Sequence, residues 1–281
     1  MLRADLHLHS TASDGRFSPA ELVRKAVGEG LTVISLTDHD TVDGIAPALA
    51  AARAFPQLRL IPGIEVSTDI SGGEAHILGY FIDHVDGSLQ AALEQMRNSR
   101  LERARRMVTR LEEMGYPLEW ERVQAIAGGG VIGRPHIAQA MLERGYIESL
   151  KEAFTKYIGR DGPAYVEREK VTPAGAVELV IRAKGLPVLA HPLTVPEPEQ
   201  MAVELKAVGL VGIEAYYAGY TAEDVERLVS MADRHNLITT GGTDYHGLDT
   251  DTSIGGVDIP EESLENLLSL ARQSRLKPAH N

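Results

Sequence analysis

The stretch Ser18-Pro-Ala-Glu-Leu-Val-Arg-Lys-Ala-Val-Gly-Glu-Gly-Leu-Thr-Val-Ile-Ser-Leu-Thr37 reads as a helix followed by a strand. Ser18 is placed as N-cap, Pro19 fits the first helical position, and Glu21, three residues after the cap, completes a capping box. Gly28 and Gly30 mark the helix end, and the β-rich run 31–37 follows.

Outward from it, strand-like runs at 2–6, 58–66 and 75–82 and a helical stretch at 42–54 continue the alternation. Alternation of this kind predicts βαβ units and a parallel sheet. It breaks at a long helical run, 88–114, followed by 120–127, the glycines Gly128, Gly129 and Gly130, and 137–143. Strands at 185–190, 210–216 and 237–240 and helices at 197–207, 222–235 and 261–272 then resume it. The expected fold is α/β: one discontinuous barrel from 1–97 and 165–281, with a helical insertion, 98–164, covering the active site. Seven strands are countable, one short of the usual eight.

The chain of 281 residues is 43% hydrophobic and 24% charged, enough for a sizeable core. It has no cysteine, which excludes disulfide frameworks, thiolate metal sites and cysteine nucleophiles. The start carries charge and a histidine where a signal peptide needs an apolar run, and no segment is apolar enough to span a bilayer. A cytoplasmic protein without a membrane partner is expected. The net charge of −12 argues against duplex DNA as partner. Three divalent cations would halve that charge and concentrate positive potential where they bind.

Metal-ligand residue types recur at the expected C-terminal ends of the strands: His7 and His9, His39, Glu65, His76, His191, Asp244 and His246. That rim is where α/β barrels build active sites. In His7-Leu8-His9 the two imidazoles point the same way from an extended chain, and Asp244-Tyr245-His246 repeats the spacing. A lone histidine is more often a hydrogen-bonded core or surface residue. Six at strand ends are another matter, because burying them unpaired with carboxylates would cost several kcal/mol each, and cations remove that cost. Nitrogen and oxygen donors suit Mn²⁺, Zn²⁺ or Fe²⁺. His84, His235 and His280 are expected to face solvent.

Gly133-Arg134-Pro135-His136 joins a guanidinium and an imidazole beside the glycine run, a combination suited to phosphate, or else simply a helix start with Pro135 in its first turn. Arg100, Arg103, Arg106 and Arg110 share one helix face, read first as solvated and alternatively as attracting nucleotide. No Walker motif and no strand-linked GxGxxG is present.

Asp5-Leu-His7-Leu-His9-Ser, Thr37-Asp38-His39-Asp40, Gly63-Ile-Glu65, Ala190-His191-Pro192 and Thr243-Asp244-Tyr-His246 resemble the motifs of PHP (polymerase and histidinol phosphatase) phosphoesterases. Gly133 to His136 is similar to a segment of its stand-alone branch, whose members act on nucleoside 3′,5′-bisphosphates or trim short RNA from the 5′ end. The resemblance implies a distorted seven-stranded barrel with three metals. His7, His9, Glu65 and Asp244 would hold the first, Glu65, His76 and His191 the second, and Asp14, His39 and His246 the third. Manganese is the first choice, with zinc or iron as alternatives.

The expected reaction is removal of the 3′-phosphate from a nucleoside 3′,5′-bisphosphate, with short 5′-phosphorylated RNA as a further substrate. Attack on phosphorus by hydroxide held at the metals, without a covalent intermediate, is the expected mechanism. Arg134, His136, Lys170 and Ser10 are the candidate substrate contacts, and Asp40 a candidate for orienting water or leaving group. Asp38 and Glu214 are candidates for bracing the ligands. A histidinol-phosphate-type phosphatase is the alternative, and a metal-stabilised interaction module without turnover ranks below both.

Overall fold

The capping box at Ser18 forms: its side chain accepts from the Glu21 amide, and the Glu21 carboxylate takes the Ser18 N–H at 2.8 Å. Helix α1 (Pro19–Gly28) thus starts where the sequence places it and buries Leu22, Val23 and Ala26. The computed structural model describes residues 2–71, 73–128, 132–167 and 171–276. Gly129, Gly130, Lys170 and His280, singled out above, lie outside them.

All seven expected strands are present: β1 (Ala4–Leu8), β2 (Val33–Leu36), β3 (Arg59–Ile70), β4 (Gly73–Tyr80), β5 (Leu186–Leu189), β6 (Gly212–Tyr217) and β7 (Ile238–Gly242). They form one sheet in chain order. The expectation of a parallel sheet needs correction, because β4 runs antiparallel to both β3 and β5. Only two residues separate Ile70 from Gly73, and a parallel pair needs a crossover of a dozen or more.

The sheet curls into a nearly closed barrel. Leu8 bridges to Tyr245 beyond β7, and the His9 N–H donates to the Tyr245 carbonyl at 3.0 Å. At this seam a methyl group on Gly242 would come within 2.4 Å of the His7 Cβ. Gly242→Ala is therefore expected to destabilise the fold by about 1–3 kcal/mol in a denaturant melt. An unchanged midpoint would show that the seam can open.

Alternate strand residues feed two cores, as the period of two demands. Ile34, Ile64, Ile77 and Leu189 pack outward against α1, α2 (Ile45–Ala52), α7 (Pro173–Arg182), α8 (Pro198–Ala207) and α9 (Ala222–Arg234). Val33, Ile61, Leu78 and Val188 face the other way and join Leu264, Leu267 and Leu268 of α10 (Glu261–Leu276).

A third cluster, between Ala104 and Val166, belongs to the helical arm: the end of α3 (Gly87–Glu113), then α4 (Trp120–Ala127), α5 (Arg134–Glu143), α6 (Leu150–Ala153) and a π turn (Phe154–Ile158). Helix α3 crosses position 97/98 unbroken, with Leu89 and Leu93 on the barrel and Met107 and Leu111 in the arm. Helix α7 was not anticipated, although Thr172-Pro173 carries its N-cap and first position. Among the described residues no helix is long and apolar enough to cross a membrane.

Candidate metal centre and its cavity

Strand β1 and the residue that follows it deliver His7 and His9 to one side, and the centre they enter is organised around Glu65. Glu65 Oε2 lies 3.2 Å from His7 Nε2, 3.2 Å from His9 Nε2 and 3.1 Å from His39 Nδ1. Its other oxygen is 2.8 Å from His76 Nδ1 and 3.0 Å from His191 Nε2. Asp244 Oδ1 adds contacts of 3.3 Å to His7 and 3.0 Å to His9, and His246 Nε2 reaches Asp14 Oδ1 at 3.3 Å. All nine candidate ligands therefore meet in one cluster.

The rim expectation needs two corrections. Glu65 sits midway along β3, because β3 continues past the end of β2 as a ribbon paired with β4. His76 lies midway along β4, opposite Ser67, because the reversed strand begins at the tip of that ribbon. Asp40, His191 and Asp244 have φ of 51°, 25° and 54°. Each positive φ costs an ordinary residue on the order of 1–3 kcal/mol, and such strain collects at functional sites.

The donor set fits divalent cations. Ligand atoms of His7, His9, Glu65 and Asp244 lie within 4.8 Å of one another, as do those of His9, Asp14, His39 and His246, and those of His39, Glu65 and His76. His7 Nε2, His9 Nε2, His39 Nδ1, Glu65 Oε2 and Asp244 Oδ1 are buried without a hydrogen-bond partner, and a cation supplies what such atoms lack. The first group matches the expected set. Of the others, one adds His9 to the expected Asp14, His39 and His246, and in the last His39 stands beside Glu65 and His76 where His191 was expected.

Protons otherwise balance the charge. Burial alone would lower His7 and His9, but Glu214, Glu65 and Asp244 hold His7 well above its ordinary value, and Asp244 and Glu65 push His9 up to about 10. Burial opposes ionisation of Glu65 too, yet the imidazoles of His39, His7 and His76 keep it well below the carboxylate range. Cations must displace the protons that raised imidazoles retain at neutral pH. Metal loading is thus expected to release protons and to weaken as pH falls. Calorimetric titration with Mn²⁺ in buffers of different ionisation enthalpy checks this, and buffer-independent heats would refute it.

Glu214 and Asp38 brace the ligands. Glu214 Oε1 accepts from His7 Nδ1 at 2.9 Å and its other oxygen from the His191 N–H at 2.8 Å, leaving His7 Nε2 to face the cluster. Glu214→Gln is expected to weaken metal affinity by about 10–100-fold without unfolding the protein, a loss measurable by metal titration. Asp38 accepts from the Ser10 N–H and from the Ser10 and Ser13 hydroxyls, all at 2.7 Å, fixing the loop that carries Asp14.

This geometry corrects two assignments. Ser10 is wholly buried with its hydroxyl bound to Asp38, so it shapes the loop rather than meeting substrate. Asp40 is also wholly buried: one oxygen accepts the Ser67 N–H at 2.8 Å and the other pairs with Arg100. It holds Arg100 rather than a reacting water. The arginine face is not uniformly solvated either, because Arg103 is buried and bonds the Val166 carbonyl at 2.6 Å, while Arg100 donates to Ser67 Oγ at 2.7 Å. Arg106 and Arg110 are exposed. His84 and His235 are half-buried rather than open to solvent, and His235 Nε2 is 2.7 Å from Glu199.

A cavity of about 140 Å³ separates the cluster from the arm. Asp14, His39 and His76 line one wall, and Arg100, Arg134 and His136 line the other. The His136 Nδ1 accepts the Gly133 N–H at 2.9 Å, and burial lowers its pKa, so at neutral pH its proton sits on Nε2. Arg134 donates to both oxygens of Glu74, at 2.9 and 3.0 Å, with its guanidinium 5.6 Å from the Phe154 ring centre. Glu74 was not singled out from sequence, although Glu74-Ala75-His76 has the same i, i+2 spacing as the histidine pair.

A sequence profile of the PHP domain matches residues 5–167, more than half of the chain. The chain belongs to the PHP family. This PHP protein is 35% identical over 246 residues to a 5′-3′ exoribonuclease of Haemophilus influenzae, covering 86% of this chain and 89% of the relative. It is 33% identical over 253 residues to a 3′,5′-nucleoside bisphosphate phosphatase of Chromobacterium violaceum, covering 88% of each. A crystal structure from Bifidobacterium adolescentis, assigned as a metal-dependent phosphoesterase, superposes with a TM-score of 0.86 at 30% identity, over 95% of this chain and 96% of that one. The PHP protein is accordingly a metal-dependent phosphoesterase, a hydrolase with an α/β barrel and a buried cluster suited to divalent metals.

Proposed function

We propose that the protein removes the 3′-phosphate of nucleoside 3′,5′-bisphosphates to give nucleoside 5′-monophosphates. The observation that carries this reading is the cavity itself, where a buried ligand cluster faces Arg134 and His136 across a space of phosphate size. The Chromobacterium violaceum relative, a phosphatase of such bisphosphates, supports it.

In this reading the ligands named above hold divalent ions, three of them by analogy with the family pattern and manganese first. Such ions supply Lewis acidity at a phosphoryl oxygen and a water activated at neutral pH for in-line attack. The chain's own groups do the positioning. The planar fork of Arg134 exchanges Glu74 for two oxygens of the non-reacting phosphate. Neutral His136 directs its Nε2–H as a hydrogen bond to a phosphate oxygen. Lys170 is proposed as a second cation for the same phosphate. The arm covers the bound substrate and keeps bulk water out.

Phosphate release from adenosine 3′,5′-bisphosphate, 3′-AMP, 5′-AMP and histidinol phosphate by the Mn²⁺-loaded protein tests the proposal. Fast conversion of the bisphosphate to 5′-AMP is expected, with the monophosphates poor. Preference for histidinol phosphate would reject it. The Haemophilus influenzae relative favours a second activity, stepwise trimming of short 5′-phosphorylated RNA, and a labelled pentanucleotide in the same assay reads it directly.

A further inference from the structure

Pockets that enclose a whole small ligand span about 300–1,000 Å³. The metal-side cavity, at about 140 Å³, takes phosphate groups and little more. The nucleoside attached to them must lie outside it.

A second cavity, of about 320 Å³, opens between α3 and α7. The two cavities share the Arg100 side chain, whose partner Ser67 lines the first and whose partner Asp40 lines the second. Arg100 Nε is buried with no hydrogen-bond partner, so a donor remains at the junction. Met96, Leu179 and Ala92 give the second cavity apolar walls, and Gln95 and Ser99 add an amide and a hydroxyl. A flat ring with apolar faces and a hydrogen-bonding edge matches that lining.

We infer that the second cavity is the nucleoside subsite, with the base against Met96 and Leu179 and Arg100 at the junction between base and reacting phosphate. This rests on the proposed function and adds to it where the enzyme reads the base.

Two variants that fill the cavity test it without touching a metal ligand or phosphate contact: Ala92→Phe, and Gln95→Phe at an exposed position that folding tolerates. Each is assayed on adenosine 3′,5′-bisphosphate and on ribose 3,5-bisphosphate, which has no base. We expect KM for the adenosine compound to rise about tenfold or more in both variants, with kcat and all values for the ribose compound unchanged. Wild-type protein that turns over both compounds equally well, or variants that leave the adenosine compound untouched or impair both alike, would overturn the subsite while leaving the proposed function standing. Wild-type protein with no preference for bisphosphates over monophosphates would overturn both.

Discussion

Replacing Glu65 by glutamine is expected to lower turnover by at least about a thousandfold, roughly 4 kcal/mol of lost charge stabilisation, and to reduce bound metal. Among the described residues no other touches so many ligands: five imidazoles lie within 3.2 Å of its two oxygens. An amide keeps the volume but removes the charge and turns one acceptor into a donor aimed at histidine nitrogens. Glu65 is fully buried, so no solvent compensates. Metal analysis of the purified variant beside its turnover decides the point, and full occupancy with near-normal kcat would remove Glu65 from the centre.

Arg134 gives the second large effect, and its signature is different. Arg134→Met is expected to raise KM for a nucleoside 3′,5′-bisphosphate by about a hundredfold while metal content stays at the wild-type level. Arg134→Lys should recover little, because a point charge cannot replace a two-pronged donor. Glu74→Gln should act in the opposite direction, since it removes the carboxylate that competes with phosphate for the guanidinium. A modest fall in KM is the expected result. A rise in KM in the Glu74 variant would mean that the pair pre-positions the arginine and must stay intact.

The metal centre was readable because its chemistry is local: His7 with His9, and Asp244 with His246, declare themselves by spacing within one extended segment. Seven strands were readable from hydrophobic runs. The reversal of β4 was legible too, since the eight residues 67–74 between the expected strands are too few for a parallel crossover. The length of β3 was not, because the polar stretch Ser67-Thr68-Asp69 reads as a loop. It is a buried strand, covered by the arm, where Arg100 reaches Ser67 and Arg160 reaches the Ile70 carbonyl. Hydrophobic pattern cannot reveal a strand whose cover is polar. The pairing of Arg100 with Asp40 escaped for a related reason. A helical wheel groups four arginines on one face but does not say which of them meets the barrel.

Reversing β4 also returns the chain to the floor of the barrel, since Tyr80 pairs with Gly63 and Leu186. From there α3 climbs the wall as a single mast of 27 residues, about 40 Å, before the arm unfolds from its top. The mast is geared: each residue added turns everything above it by about 100° and lifts it by about 1.5 Å. One residue inserted between Leu93 and Arg100 would swing Arg134 and His136 off the metals. Seven would restore their bearing to within about 20° but raise the roof by about 10 Å. Lengthening or shortening this helix therefore changes the clearance between roof and metals, and with it the size of substrate admitted, while keeping the roof in register only near whole turns.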